Sequence, residues 1–325
     1  VIFTRDPTSD IEAHGTTIVL MNLRKSAKDD LGSVDKWTAI EESKSGELHD
    51  GLLSTIEEPV FHIGRISPND RKTLILPPQV PWENHDLPAI RFGKLYKAVA
   101  GQVGMKVANP TTEAVLDNYL KMLWDISLAI PVDYIDRHPF EMTPQDGIEI
   151  YELSNHKRGQ ASSLDLKDDE TIAHRYGMES CSPDPAGGFR VIIDGVELRH
   201  PITIESTLQA DSAQRKPLLF VGKCITPFDK IPPNRGGGAL EFEAYIYWNP
   251  IIAPKENNGV LIRVNNSSGT LFDETFIDYR VSELTRLKQL MMEVFVTKGL
   301  DPWCDRSPFP RNKRNHHAQR GQDPL

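Results

Sequence analysis

From Ile148 onward the apolar residues recur at every second position, and that period obliges this part of the chain to build a sheet. Ile148-Glu-Ile-Tyr-Glu-Leu153 alternates as a half-buried strand does, its successive side chains pointing to opposite faces. The segments 189–193 and 196–198 flank Asp194-Gly195, a pair suited to the two positive-φ positions of a type I′ hairpin turn. Residues 218–225, 240–248 and 259–264 read as three further strands, separated by turn clusters at 227–238 and 249–258. A polar loop is expected over 154–187.

Two segments carry a helical period instead. In 111–130, Thr111 or Thr112 can cap a helix whose apolar residues are Val115, Leu116, Tyr119, Leu120, Leu123, Trp124 and Ile126, with Pro131 ending it. In 281–297, Val281, Leu284, Leu287, Leu290, Met291, Val294 and Phe295 fall on one helical stripe, and Gly299 is placed to stop it. Pro68, Pro77, Pro78, Pro81 and Pro88 exclude a long helix over 68–88. Segment 25–60 is polar without a sustained period and is predicted to be loop-rich. After Asp301 no period survives, so 302–325 is predicted to be disordered. A run of strands closed by a helix implies an α/β (α+β) fold, a sheet with helices packed on it.

Composition narrows the function classes. Of 325 residues, 39% are apolar and 26% charged, enough for a sizeable core. No apolar run reaches the roughly 18 residues that cross a bilayer, and no basic-then-apolar leader opens the sequence. Cys181, Cys224 and Cys304 are odd in number and far apart, which argues against a disulfide framework or a cysteine zinc site and fits a cytoplasmic setting. The net charge is −9; the segment from Pro302 carries +3, leaving −12 on the rest, a poor match to a phosphate-binding surface.

Gly15-Thr16-Thr17 enters the β-branched, apolar run 16–23. The plain reading is a glycine before a buried strand; the functional one is a strand lining a nucleotide pocket, with a threonine hydroxyl able to donate and accept at a purine or its water. The run H-G-T-T-I-V-L-M-N-L-R-K resembles the last characteristic strand of the GHKL superfamily (gyrase B, histidine kinase, MutL and heat-shock chaperone), where it closes the adenine side of the ATP pocket. Asn258-Gly-Val-Leu-Ile-Arg-Val-Asn-Asn-Ser-Ser-Gly-Thr270 resembles the strand of the transducer domain that follows in such proteins, and 282–301 resembles the helix and exit after it.

This resemblance, to bacterial chaperone-like or MORC-like members, implies an organisation. Residues 1–30 would be the remnant of an ATP-binding domain and 31–110 a loop-rich linker. Residues 111–301 would be a helix plus a mixed-sheet, ribosomal-S5-like transducer, and 302–325 a tail. It implies nucleotide contacts at Gly15, Thr16 and Thr17, and makes Arg263, Asn265 and Asn266 candidates for a transducer contact. Their plainer alternatives are an exposed strand arginine or surface ion pair for Arg263, and turn formation for the asparagines. The family's metal-chelating Asn, adenine-binding Asp and glycine-rich lid lie upstream of the Gly-Thr strand, and the exit after Gly299-Leu300-Asp301 departs from the pattern that carries a γ-phosphate arginine. The intact protein would bind ATP and Mg²⁺ and work as a homodimer on a protein client or DNA-associated partner, while this chain alone would hold neither cofactor and hydrolyse nothing. A non-enzymatic α/β interaction module is the alternative.

Other groups read more plainly. Asn234-Arg-Gly-Gly-Gly238 lacks the Gly-Lys-Ser/Thr ending of a P-loop, and His316-His317 has no partner at helical spacing. Asp133, Asp136, His138 and Glu141 read as a solvated helix exit more readily than as an acid–base cluster. Asp168-Asp169-Glu170 reads as a solvated charge run. No G-x-S-x-G nucleophile signature is present.

Overall fold

The computed structural model describes residues 24–45, 57–67, 73–105, 110–153, 161–181, 189–204, 216–226, 239–276 and 284–299. The expected strand 16–23, the loop 234–238 and the tail 302–325 lie outside the described residues. The chain divides into two compact units, one of residues 1–79 with 116–120, the other of 80–115 with 121–325.

In the first unit, α1 (Lys25–Leu31) and α2 (Val34–Ser45) are joined by a turn in which Ser33 takes φ 53°. Helices stand here where a loop-rich connection was expected. The Lys, Glu and Ala residues favour helix, yet only Trp37 and Ile40 of α2 are buried, too few to print a period on the sequence. A short antiparallel pair, β1 (Arg65–Ile66) with β2 (Leu74–Leu76), follows, and the Arg65 guanidinium lies over the Trp37 ring.

The second unit opens on α3 (Pro88–Met105), a helix within the stretch expected to be a loop-rich linker. Pro88 starts it, where a missing N–H costs nothing. Phe92, Leu95, Val99 and Val103 form its buried stripe, a helical spacing that was present to be read. The helix expected over 111–130 is divided into α4 (Thr112–Val115) and α5 (Asn118–Ala129). The break has a cause within the first unit: Leu116 bridges to Phe61, and the Asp117 carboxylate accepts the N–H groups of Leu120 and Ile63, capping α5 anew. Beyond residue 120, Trp124 of α5 stacks with Phe92 and Tyr96 of α3.

The sheet of this unit is formed by β3 (Glu149–Glu152), β4 (Ser162–Ser163), β7 (Leu218–Thr226), β8 (Leu240–Trp248), β9 (Gly259–Val264) and β10 (Leu290–Lys298), in the order β4-β3-β7-β8-β10-β9. The pairs β3–β7 and β9–β10 are parallel and the rest antiparallel, so the fold is α/β with a mixed sheet. Between β4 and β7 lie α6 (Ile172–Tyr176) and the hairpin β5 (Ile192–Ile193) with β6 (Val196–Glu197). As expected, Asp194 and Gly195 turn that hairpin, with φ 48° and 75°.

One sequence expectation is overturned outright. The stripe read as a helix over 281–297 yields a single helical turn, α7 (Leu284–Leu287), and then the nine-residue strand β10. Met291, Glu293 and Phe295 also alternate, and Val294-Phe295-Val296-Thr297 is β-favouring. What decides is tertiary: β10 is inserted between β8 and β9 and satisfies its backbone on both edges. Gly299 ends the strand, not a helix; its φ is 89° and a side chain there would strike the Ala239 backbone.

Candidate functional site

Strand alternation places Glu243, Tyr245 and Tyr247 of β8, Leu261 and Arg263 of β9, and Met291, Glu293 and Phe295 of β10 on one buried face. Three of the polar side chains on that face are withdrawn from water: Arg263 is 1% exposed, and Glu243 and Glu293 0%. Charges are buried this way only when paired and hydrogen-bonded.

Arg263 and Glu293 are paired. Arg263 Nε donates to Glu293 Oε1 at 2.6 Å, while its Nη1 donates to the carbonyls of Leu128 (2.9 Å) and Asn266 (3.3 Å). Glu293 Oε2 accepts the hydroxyls of Tyr134 (2.7 Å) and Tyr245 (2.5 Å). Tyr245 reaches it because it is the cross-strand partner of Glu293, and Tyr134 because the chain after α5 bridges to His200. The last turn of α5 supplies the carbonyls, with Leu128 facing Arg263 and Ser127 facing His200 Nδ1 at 2.5 Å. Both donors, the Arg263 guanidinium and the His200 ring N–H, thus sit where the helix dipole is negative.

Burial and charge act on every member. Burial, together with the adjacent Glu293, holds the Tyr134 and Tyr245 hydroxyls well above their ordinary range. Burial opposes the Arg263 charge, but Glu293 and the tyrosines more than offset it, and its pKa stands above the usual value. Burial, reinforced by the Arg263 charge, lowers His138 to about 3 and puts His200 well below its ordinary range. Both rings are therefore neutral at neutral pH. Aromatic neighbours complete the shell: the His138 ring lies 4.7 Å from Tyr134, 5.0 Å from Phe140 and 5.1 Å from Phe295.

A second clamp is built on Glu243. Its carboxylate accepts the N–H groups of Glu179 and Ser180 and the Ser180 hydroxyl, and pairs with Lys223 at 3.2 Å. Asn266 Nδ2 donates to the Ser180 carbonyl, linking this clamp to the turn after β9. With its oxygens engaged by four donors, Glu243 is a tie and not a base for Ser180. Burial, with Glu243 and Glu141 nearby, pushes the Cys181 thiol up to about 11, so no thiolate nucleophile forms there.

The sequence candidates fare unequally. Gly15, Thr16 and Thr17 lie outside the described residues. Arg263 is neither an exposed strand arginine nor half of a surface pair, but the centre of the buried cluster. Asn265 and Asn266 take φ 52° and 58° and form a two-residue turn closed by reciprocal bonds between Val264 and Ser267. The structure brings Arg263 and Asn266 together through the Asn266 carbonyl. Asp133, Asp136, His138 and Glu141 do not converge: Asp133 pairs with Arg199, and His138 with Glu141 caps the turn at Pro139–Glu141. Glu293, Tyr134, Tyr245, His200 and Glu243 were not singled out from sequence. A carboxylate at a core-facing position of an apolar strand was the signal for both glutamates.

Among the described residues, no three His, Cys, Asp or Glu side chains are gathered to hold a metal, and no helix is long and apolar enough to cross a membrane. An open groove of about 230 Å³ runs along β3 and β4, lined by Pro144, Ile148, Ile150, Tyr151, Ser163 and Leu166 among others. The buried cluster itself ties the β8–β10–β9 end of the sheet to the end of α5 and to the turn after β9. Compared with family models, curated proteins and solved structures, the chain matches none of them.

Proposed function

We propose that these residues are the transducing part of a GHKL-type ATPase of the chaperone-like or MORC-like kind. In the intact cytoplasmic protein, Gly15, Thr16 and Thr17 close the adenine side of the pocket, ATP and Mg²⁺ are bound largely by segments outside this sequence, and the S5-like sheet relays closure of a homodimer to a client or DNA-associated partner. This chain by itself turns over no ATP.

The observation that carries the reading is the position of Arg263. The strand that resembles the transducer, Gly259–Val264, is at the edge of a mixed sheet, and its arginine is tied through Glu293 to the inserted strand β10. A push on the Asn265-Asn266 turn therefore meets a stiff ionic joint and not a freely sliding edge. The family pattern is departed from at β10, where the resemblance implied a helix. The test is the gene upstream of the Val1 codon: an Asn-bearing helix followed by D-x-G-x-G is expected, and an open frame without them overturns the proposal.

A non-enzymatic interaction module is the second reading. It is favoured by the other face of the sheet, where Phe220, Phe242, Ile246, Ile262, Val294 and Val296 are only half-buried. An upstream frame without the nucleotide motifs leaves this reading standing.

A further inference from the structure

We propose that the face of the sheet turned away from the buried cluster is a docking surface for a second copy of this chain. Strand register sets side chains from neighbouring strands beside one another on that face. Tyr151, Phe220, Ile246 and Met292 form one line across β3, β7, β8 and β10. Cys224, Phe242, Val296 and Val264 form another across β7, β8, β10 and β9. Between them Gly222, Ala244, Val294 and Ile262 are aligned in the same way. Gly222 has no side chain, and Leu153 fills its place: a Cβ there would lie 2.9 Å from Leu153 Cβ. The face is therefore continuously apolar, and its large side chains Phe220, Phe242, Ile246 and Met292 are only half-buried.

Two observations select the partner. Charge is confined to the margins, with Glu149 on the short strand β3 and Lys298 at the end of β10, where it is paired with Glu241 at 3.0 Å. A surface this apolar matches homodimer interfaces, whereas interfaces with transient partners are about as apolar as the rest of a protein surface. Extent is the second observation. At about 3.3 Å per residue and about 4.8 Å between strands, β3, β7, β8, β10 and β9 cover about 600 Å² on each copy, or about 1,200 Å² for a pair. That reaches the lower bound of stable, specific interfaces. A two-fold axis would lay the two faces about 10 Å apart, as the sheets of a sandwich pack. None of these residues is a proposed nucleotide contact, so the inference rests on the face and not on the nucleotide reading.

The test is sedimentation equilibrium of the 325-residue chain and of two variants on this face. The parent is expected as a dimer of about 73 kDa, twice the 36.6 kDa of the chain, at about 50 μM. I246K places a charge in the middle of the face and is expected to be monomeric, with the circular dichroism of the sheet retained. V294T/V296T keeps β-branched residues in the sheet and should raise the dissociation constant at least about tenfold, which decides the matter if I246K does not fold. A monomeric parent, its face then covered by a different partner or by other segments of the chain, overturns the proposal. A dimer that neither variant weakens overturns it too.

Discussion

Removing both partners of the Arg263–Glu293 pair should cost less than the sum of removing each alone. R263M leaves the Glu293 side chain at 0% exposure with only the two tyrosine hydroxyls as partners. Breaking a buried pair from one side costs about 3–5 kcal/mol, because the surviving charge is uncompensated. E293L is expected at the upper end of that range. It strands the Arg263 charge and also deprives the Tyr134 and Tyr245 hydroxyls of their acceptor, at about 1–3 kcal/mol for each buried group left unsatisfied. The double variant R263M/E293L removes both charges and keeps only the hydroxyl and carbonyl penalties. It should be less destabilised than the sum of the single variants by about 3 kcal/mol, the upper end of measured coupling. The assay is urea unfolding read by amide exchange of β8, β9 and β10, which reports the second unit by itself and avoids assuming one transition for both units. Single variants that each cost less than about 1 kcal/mol, or strictly additive effects, would refute the assignment of a paired, buried joint.

Three further outcomes follow from single positions. His138 titrates at about 3 in the folded chain against 6.5 ordinarily, so the unfolded chain takes up the proton first. Stability should then be intact above pH 6.5 and fall as pH drops from 6.5 toward 3, by at most about 5 kcal/mol from this ring, and H138F should flatten that slope in acid-unfolding titrations. His200, also depressed, and Arg263 face the same cluster, and His200 keeps part of the slope in the variant. G299A should lose about 1–3 kcal/mol, since φ 89° and the Ala239 backbone both reject a side chain, measurable as a lowered unfolding midpoint. In the first unit, D117A removes the cap of α5 and should cost about 0.5–2 kcal/mol, with faster amide exchange at Leu120 and Ile63; unchanged exchange there would contradict the cap.

The strands β7, β8 and β9 and the Asp194-Gly195 hairpin were legible because burial of one face writes period two directly into the sequence. The strand β10 was not, because its residues satisfy both periods and the deciding partners lie elsewhere: Tyr245 and Phe242 on β8, Leu261 and Arg263 on β9. α2 was hidden by its charges, whereas the spacing of Phe92, Leu95, Val99 and Val103 made α3 legible in the sequence, although the segment was assigned to a linker. The cluster was only half visible. Arg263 could be singled out by resemblance, but its burial depends on Glu293, Tyr134, Tyr245 and the end of α5, four segments that no local pattern joins. The asparagines were legible as turn formers, since αL backbone favours them wherever the turn falls.

The proposed role of these residues is to serve a nucleotide-driven protein without hydrolysing ATP themselves. Its most direct test is Mg²⁺-dependent ATP turnover by the intact gene product, measured beside this 325-residue chain. Turnover by the intact protein and none by the chain is the expected result. Turnover by the chain alone, or an intact protein that neither binds nor hydrolyses ATP, would contradict it.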